Sequence, residues 1–217
     1  MRAAGLPGDA QGTGHAARMT PQAALRLWGA ASPLERTPAA AYLRARGLPA
    51  GDPELRFHPR TPDGPRPLTR FRPALIAAVR DSAGLVAVHR TFLGPNAGSG
   101  TVLRRAALGR LGAGAVRLGG TARRLGLAEG VETALSATRL FGLPCWATLG
   151  SERFALVALP PGVESLVLFL DNDAGGRRAE ALARARFAGL RIEARHPSES
   201  GADWNDMISG KRGGSGA

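Results

Sequence analysis

Between residues 115 and 209, short apolar runs alternate with helical segments, and this alternation restricts the possible folds more than any other feature of the chain. "AVRLGG" and "RRLGLAEG" read as short strands, and "VETALSATRLFG" as a helix closed by Gly142. "PCWATLG" is a strand, and "SERFALVALP" a short helix stopped by prolines. "ESLVLFLD" is apolar on both faces, as a strand buried between two layers must be. "AGGRRAEALARARFAG" is an amphipathic helix ending at Gly189, followed by the strand "LRIEARHP" and a last helical turn, "DWNDMIS". Strands alternating with helices form βαβ units, which predicts an α/β fold: a Rossmann-like, mostly parallel sheet with flanking helices. Ligands of such sheets bind beyond the carboxyl ends of the strands. The residues at those ends therefore carry the functional question.

The first half has a different pattern. "TPQAALRLWGA" and "TPAAAYLRARG" each place Thr before Pro, at Thr20–Pro21 and Thr37–Pro38, which is an N-cap followed by the first helical position. "LRFHP" reads as a strand, and residues 74–93 as a β-hairpin turning at Asp81–Gly84. Residues 94–114 are Gly- and Arg-rich with little pattern. The expected organisation is a disordered leader over 1–18, with Met19 as an alternative start, and a small α+β subdomain over 19–114. The α/β domain follows over 115–209, and a flexible tail over 210–217.

With 29 basic and 17 acidic residues the formal charge is +12, and Lys211 is the only lysine. Such a surface attracts polyanions, and the planar arginine fork matches phosphate. The single cysteine, Cys145, excludes an intramolecular disulfide and a cysteine-based zinc site. There is no apolar run of membrane-spanning length and no signal-peptide pattern, so a cytoplasmic protein is expected. The four histidines show no metal-ligand spacing, and Trp28, Trp146, Trp204 and Cys145 read as core.

Three strand ends carry acid: Glu129 after "LGLA", Asp171 and Asp173 in "LFLDND", and Asp203 and Asp206 after "IEARHP". A parallel sheet would bring them to one edge. Clustered carboxylates suit Mg²⁺ or Mn²⁺, hard cations that favour oxygen and commonly bind together with substrate phosphates. The plainer readings are also open. An Asp after a strand is often a helix N-cap, and "DNDAGG" has turn chemistry. Glu132 sits in a helix's first turn, where negative charge favours the helix dipole without further role. Asp206 reads as a helix-face charge. Phosphoacceptor receiver domains need an acidic pair near their first strand, which the N-terminal segment lacks. Nucleophilic DxD phosphatases usually place Thr or Val where Gly175 stands.

"LAEGVETALSA", "LVLFLDND" and "GADWND", in that order, resemble the Toprim fold of topoisomerases and DnaG-type primases. They are most similar to the primase-like Toprim proteins of plasmids, phages and integrated elements. "ERTPAAAYLRARGL", "LRFHP" and "AVHRTFL" resemble the segment preceding Toprim in those proteins, so the likeness covers roughly residues 22–208. It implies that Glu129 is the family's conserved acid, that Asp171 and Asp173 bind metal, and that Asp203 fills a further acidic position of the primase branch. It implies Mg²⁺-dependent joining of NTPs on single-stranded DNA, with Glu129 either holding a second ion or acting as general base. No zinc is expected, because one cysteine cannot build the zinc ribbon that often precedes such cores. No "GxxxxGK[ST]" loop appears, so a replicative helicase or a zinc-bearing subunit would be a separate partner.

Arg90, Arg104, Arg105, Arg110 and Arg117 precede the acidic edge and are candidates to hold template or triphosphate phosphates, against the alternative of solvated surface arginines. Two competing readings use the same acids differently: a Toprim nuclease or nicking enzyme, and a non-catalytic DNA-binding accessory module. A self-contained topoisomerase needs a tyrosine nucleophile, and the only tyrosine, Tyr42, lies in the other half of the chain.

Overall fold

The computed structural model describes residues 21–95, 101–197 and 204–209; the expected leader and tail, and Asp203, lie outside them. Helix α1 spans Pro21–Ala30 and α2 spans Pro38–Ala45. Thr37 caps α2 as its sequence predicts, accepting a bond from the Ala40 N–H at 3.3 Å. Strands β1 (Leu55–Asp63), β2 (Arg70–Asp81), β3 (Gly84–Leu93) and β4 (Val102–Gly109) follow, forming an antiparallel sheet in that order. The β2–β3 hairpin turns where expected. Strand β4 falls in the stretch that showed little pattern. It is an edge strand with Arg104 and Arg105 exposed at its start, so the apolar alternation that marks a strand is absent. A bulge between His58 and Thr61 interrupts the β1–β2 register.

The second sheet holds β5 (Val116–Leu118), β6 (Arg124–Ala128), β7 (Cys145–Ala147), β8 (Ser165–Phe169) and β9 (Arg191–Arg195), in the order β5-β7-β6-β8-β9. Its four ladders are parallel except β5–β7, which is antiparallel at the edge. Leu125, Leu127, Leu166 and Leu168 face one side, where α4 (Ala174–Arg186) and a 3₁₀ turn (Ser151–Ala155) pack with Trp146 and Phe154. Ala128, Val167 and Phe169 face the other side, against α3 (Val131–Phe141), which α5 (Trp204–Ser209) packs beside. Both faces of β8 are therefore covered, which explains its unbroken apolar run. Gly126 is required by close approach: a Cβ there would lie 2.7 Å from Cys145 Sγ.

The α3 face does not close on itself. Leu34, Tyr42, Leu43, Leu75 and Val79 of the first half pack into the same cluster as Val116, Ala134, Leu135 and Phe169. Strand β2 also bridges to Ala115 through Arg80. The two halves share one core, and this fixes the N-terminal sheet beside the carboxyl edge of the parallel sheet.

Candidate active site

Strands β6 and β8 are neighbours, with Ala128 opposite Phe169. Glu129 therefore leaves its strand one residue on from this pair, and Leu170 and Asp171 leave theirs alongside. The Glu129 carbonyl accepts a bond from the Leu149 N–H at 2.8 Å. The backbone N–H of Ser151, which opens the 3₁₀ turn, lies near the Glu129 carboxylate and favours its charged form. Leu149 (φ 67°) and Gly150 (φ 148°) both adopt left-handed backbone to bring that N–H round. A left-handed leucine is uncommon, and such strain concentrates at functional sites.

Burial raises the Glu129 carboxyl above the ordinary glutamate range, and the charges of Asp171 and then Asp173 raise it further. The Ser151 N–H offsets part of this. Glu129, Asp171 and Asp173 thus share one electrostatic neighbourhood although they come from separate strand ends. Asp173 is also the N-cap of α4, accepting from the Gly176 N–H at 2.8 Å. Of the five acids the strand ends suggested, these three act on one another's charge, and Glu129 and Asp171 line one cleft. Asp203 lies outside the described residues. Asp206 belongs to α5, and its side chain is likewise outside the description.

A cleft of about 290 Å³ opens over this edge. Glu129, Gly130, Glu132, Thr133 and Asp171 line it from the parallel sheet and α3, Asn205 from α5, and Arg46 and Arg105 from the first half of the chain. Its walls are opposite in charge, with carboxylates on one side and guanidinium groups on the other.

Glu132 does more than complement the α3 dipole. It is buried, and its Oε1 accepts from Tyr42 Oη at 2.7 Å and from Arg105 Nη2 at 2.7 Å and Nε at 3.3 Å. Burial alone would raise its carboxyl, but Arg105 and the donated bonds hold it below the ordinary range. Burial and then Glu132 push the Tyr42 phenol well above its usual value.

The arginines suggested by sequence divide sharply. Arg105 lines the cleft. Arg90 is buried, donating to the carbonyls of Pro62 at 2.7 Å, Ala107 at 2.9 Å and Ala106 at 3.4 Å, so its guanidinium is built into the N-terminal sheet. Arg104 pairs with Asp63 at 2.8 Å. Arg110 is exposed just beyond β4. Arg117 lies on edge strand β5, 4.6 Å from the centre of the Trp146 ring. Arg46, which the sequence did not single out, lines the cleft from the C-cap of α2. Trp204 is core, stacked edge-on to Phe141 and Phe169, and its indole N–H bonds the Leu170 carbonyl at 3.2 Å, anchoring α5 to the strand that delivers Asp171. His89 is partly buried on β3, and desolvation pushes its imidazole down to about 4.

The donor chemistry fits a hard divalent cation: carboxylate oxygens, with repulsion among them that a cation would relieve. Among the described residues no three such groups already stand around one point as a closed cage, as suits an ion that keeps waters and shares its shell with substrate phosphates. Without a cation, the raised Glu129 carboxyl favours the fold below the ordinary glutamate range, near pH 4. That contribution is lost as pH rises through its folded-state value. Mg²⁺ should remove the penalty. The gain in Tm on adding Mg²⁺ is expected to be near zero at about pH 4 and to reach a few degrees by about pH 8. Thermal melts with and without Mg²⁺ across that range test this; a response independent of pH would contradict it.

Comparison with known proteins accords with this geometry. Residues 124–213 match the family model described as a Toprim domain, and residues 18–118 match a domain of unknown function, DUF7146. No curated protein sequence matches the chain. Among solved structures, a DNA primase domain from Pseudomonas aeruginosa aligns with a TM-score of 0.56 at 17% identity, covering 89% of this chain and 75% of that one. The primase fragment of the bacteriophage T7 primase-helicase protein aligns with a TM-score of 0.48 at 15% identity, covering 64% of this chain and 59% of that one. The acidic strand ends lie within the matched domain, and the N-terminal sheet belongs to the shared fold: residues 124–213 match a Toprim domain, in a chain that has the fold of a DNA primase domain.

Proposed function

We propose that this chain is a primase-type nucleotidyltransferase that joins NTPs on single-stranded DNA. The observation that carries the reading is the two-walled cleft, with Glu129 and Asp171 facing Arg46 and Arg105. Asp171 and Asp173 would hold Mg²⁺ or Mn²⁺, which when bound supplies neutralisation of triphosphate charge. Arg105 and Arg46 would hold the phosphates from the opposite wall. Glu129, whose carboxyl favours its proton more than an ordinary glutamate, suits proton transfer from the 3′-hydroxyl of the growing strand. The new bond joins that 3′-oxygen to the α-phosphorus, the bond to the β-phosphate bridging oxygen breaks, and pyrophosphate leaves.

The template would need a surface beyond the cleft. Phe71, on the β2 arm, is 57% exposed, with the Arg60 guanidinium 5.4 Å from its ring centre and Arg66 and Arg70 exposed nearby. Aromatic faces flanked by arginines suit unpaired bases and their phosphates. Phe71→Ala is expected to weaken binding of an oligo-dT strand by about tenfold, read by fluorescence anisotropy; an unchanged affinity would remove the arm from the template path. No described helix is long and apolar enough to cross a membrane. The setting that fits is replication of a plasmid, phage or integrated element, with a replicative helicase or a zinc-bearing subunit as partner.

The decisive experiment combines the protein with single-stranded DNA, labelled NTPs and Mg²⁺, beside a labelled-DNA cleavage lane. Short labelled oligomers, absent from an Asp171→Ala/Asp173→Ala control, are expected. Cleavage without synthesis would indicate a nuclease. DNA binding with neither product would indicate an accessory module.

A further inference from the structure

We infer that Glu132, itself supported by Tyr42, is a positioning residue that aims Arg105 of the N-terminal sheet into the acidic cleft of the Toprim domain. This rests on the reading that the cleft takes a polyphosphate chain. Three features point to it.

The first is the division of exposure within one ion pair. The Glu132 side chain is 11% exposed, whereas that of Arg105 is 45% exposed. The carboxylate is locked inside, and the guanidinium reaches the cleft. The second is orientation. Both bonds to Glu132 use Nε and Nη2, one edge of the planar fork. The opposite edge, bearing Nη1, is not used by Glu132, and a planar fork held along one edge has its other edge directed. The third is origin. Glu132 opens α3, Tyr42 lies in α2 and Arg105 in β4, so the contact ties three separate elements at the rim of the cleft. An ion pair whose guanidinium is half exposed adds little stability, which leaves a steering role as the better account of its presence.

Glu132 need not touch the ligand for this role, and that makes the sign of its effect diagnostic. Removing a negative charge beside an anion site should, on charge alone, tighten anion binding. Removing a residue that aims the anion-binding arginine should weaken it. The test is calorimetric binding of inorganic tripolyphosphate with Mg²⁺ to the full chain, with thermal melts confirming that each variant is folded.

Arg105→Ala is expected to lose about tenfold in affinity. Glu132→Gln should lose a comparable factor although it makes the cleft more positive, and Tyr42→Phe a smaller one, about threefold. The double variant Arg105→Ala/Glu132→Gln should bind no more weakly than Arg105→Ala alone, because the two act in series. Unchanged or tighter binding by Glu132→Gln, or additive losses in the double variant, would overturn the positioning role while leaving the phosphate-binding cleft intact. Failure of the wild-type chain to bind Mg²⁺-tripolyphosphate would overturn both. If Glu132→Gln does not fold, Tyr42→Phe, which retains the ion pair, decides: full wild-type affinity would overturn the role of Tyr42 and, with it, the relay.

Discussion

Asp171→Asn is expected to abolish nucleotide incorporation, by about a thousandfold or more, while leaving the protein folded. The two halves of that result have one cause. Asp171 raises the Glu129 carboxyl by adjacent negative charge, so in the metal-free protein the pair is mutually unfavourable. Asparagine has nearly the same shape and removes the repulsion. It also removes the charge on which a divalent cation depends. The companion change separates the two readings of the second aspartate. Asp173 caps α4 through the Gly176 N–H. Asparagine caps as well as aspartate, whereas alanine costs about 1 kcal/mol. If Asp173 only caps, Asp173→Asn keeps activity and Asp173→Ala loses mainly stability. If it also holds metal, Asp173→Asn is stable and inactive, which is the expected outcome. Primer synthesis and denaturant melts on the three variants decide. An Asp171→Asn protein that retains more than about a tenth of wild-type synthesis would remove the acids from the chemistry.

Much of this architecture is legible in the chain because the physics that sets it is local. Thr37 and Pro38 start a helix by capping and a fixed φ, Gly142 ends one in left-handed backbone, and a run such as "LVLF" must be covered on both faces. From these the βαβ order follows, and from that order the meeting of Glu129 with Asp171. What the chain hides is set at a distance. Glu132 is separated from Tyr42 by 90 residues and from Arg105 by 27, and periodicity reports only neighbours on one element. The same limit explains the arginines. Arg90 and Arg105 look alike as letters on strands, yet Arg90 turns into carbonyls of its own sheet and Arg105 into the cleft. Strand β4 escaped for a related reason: an edge strand whose exposed residues are arginines has no apolar alternation to read. A charged residue in a helix's first turn three positions after a strand-end acid, in a chain with one tyrosine, was the available signal for Glu132. It pointed equally to a simple dipole contact.

The two glycines after the acids are the strongest link between fold and site, and one of them yields a prediction whose sign opposes local propensity. Alanine favours a helix over glycine by about 1 kcal/mol, so Gly176→Ala in the first turn of α4 should stabilise on propensity alone. The backbone reverses this. A Cβ on Gly176 would overlap the carbonyl oxygen of Asp171, with the Asp171 carbonyl carbon and nitrogen only 3.1 and 3.3 Å away. These are backbone atoms at the end of a central strand and cannot rotate aside. Helix α4 must therefore retreat from β8, loosening the Asp173 cap and displacing the carboxylate of Asp171. The expected cost is about 3 kcal/mol in denaturant unfolding, together with loss of Mg²⁺-dependent synthesis. Gly175→Ala is the matched comparison. Its Cβ would meet only the Asp173 side chain, at 3.2 Å for Oδ1, and a carboxylate can give by a few tenths of an ångström. That variant should remain close to wild-type stability. Equal stability of Gly176→Ala and the wild type would mean that α4 does not start pressed against the strand end, and that the spacing of "DNDAGG" is not what sets the geometry of the acids.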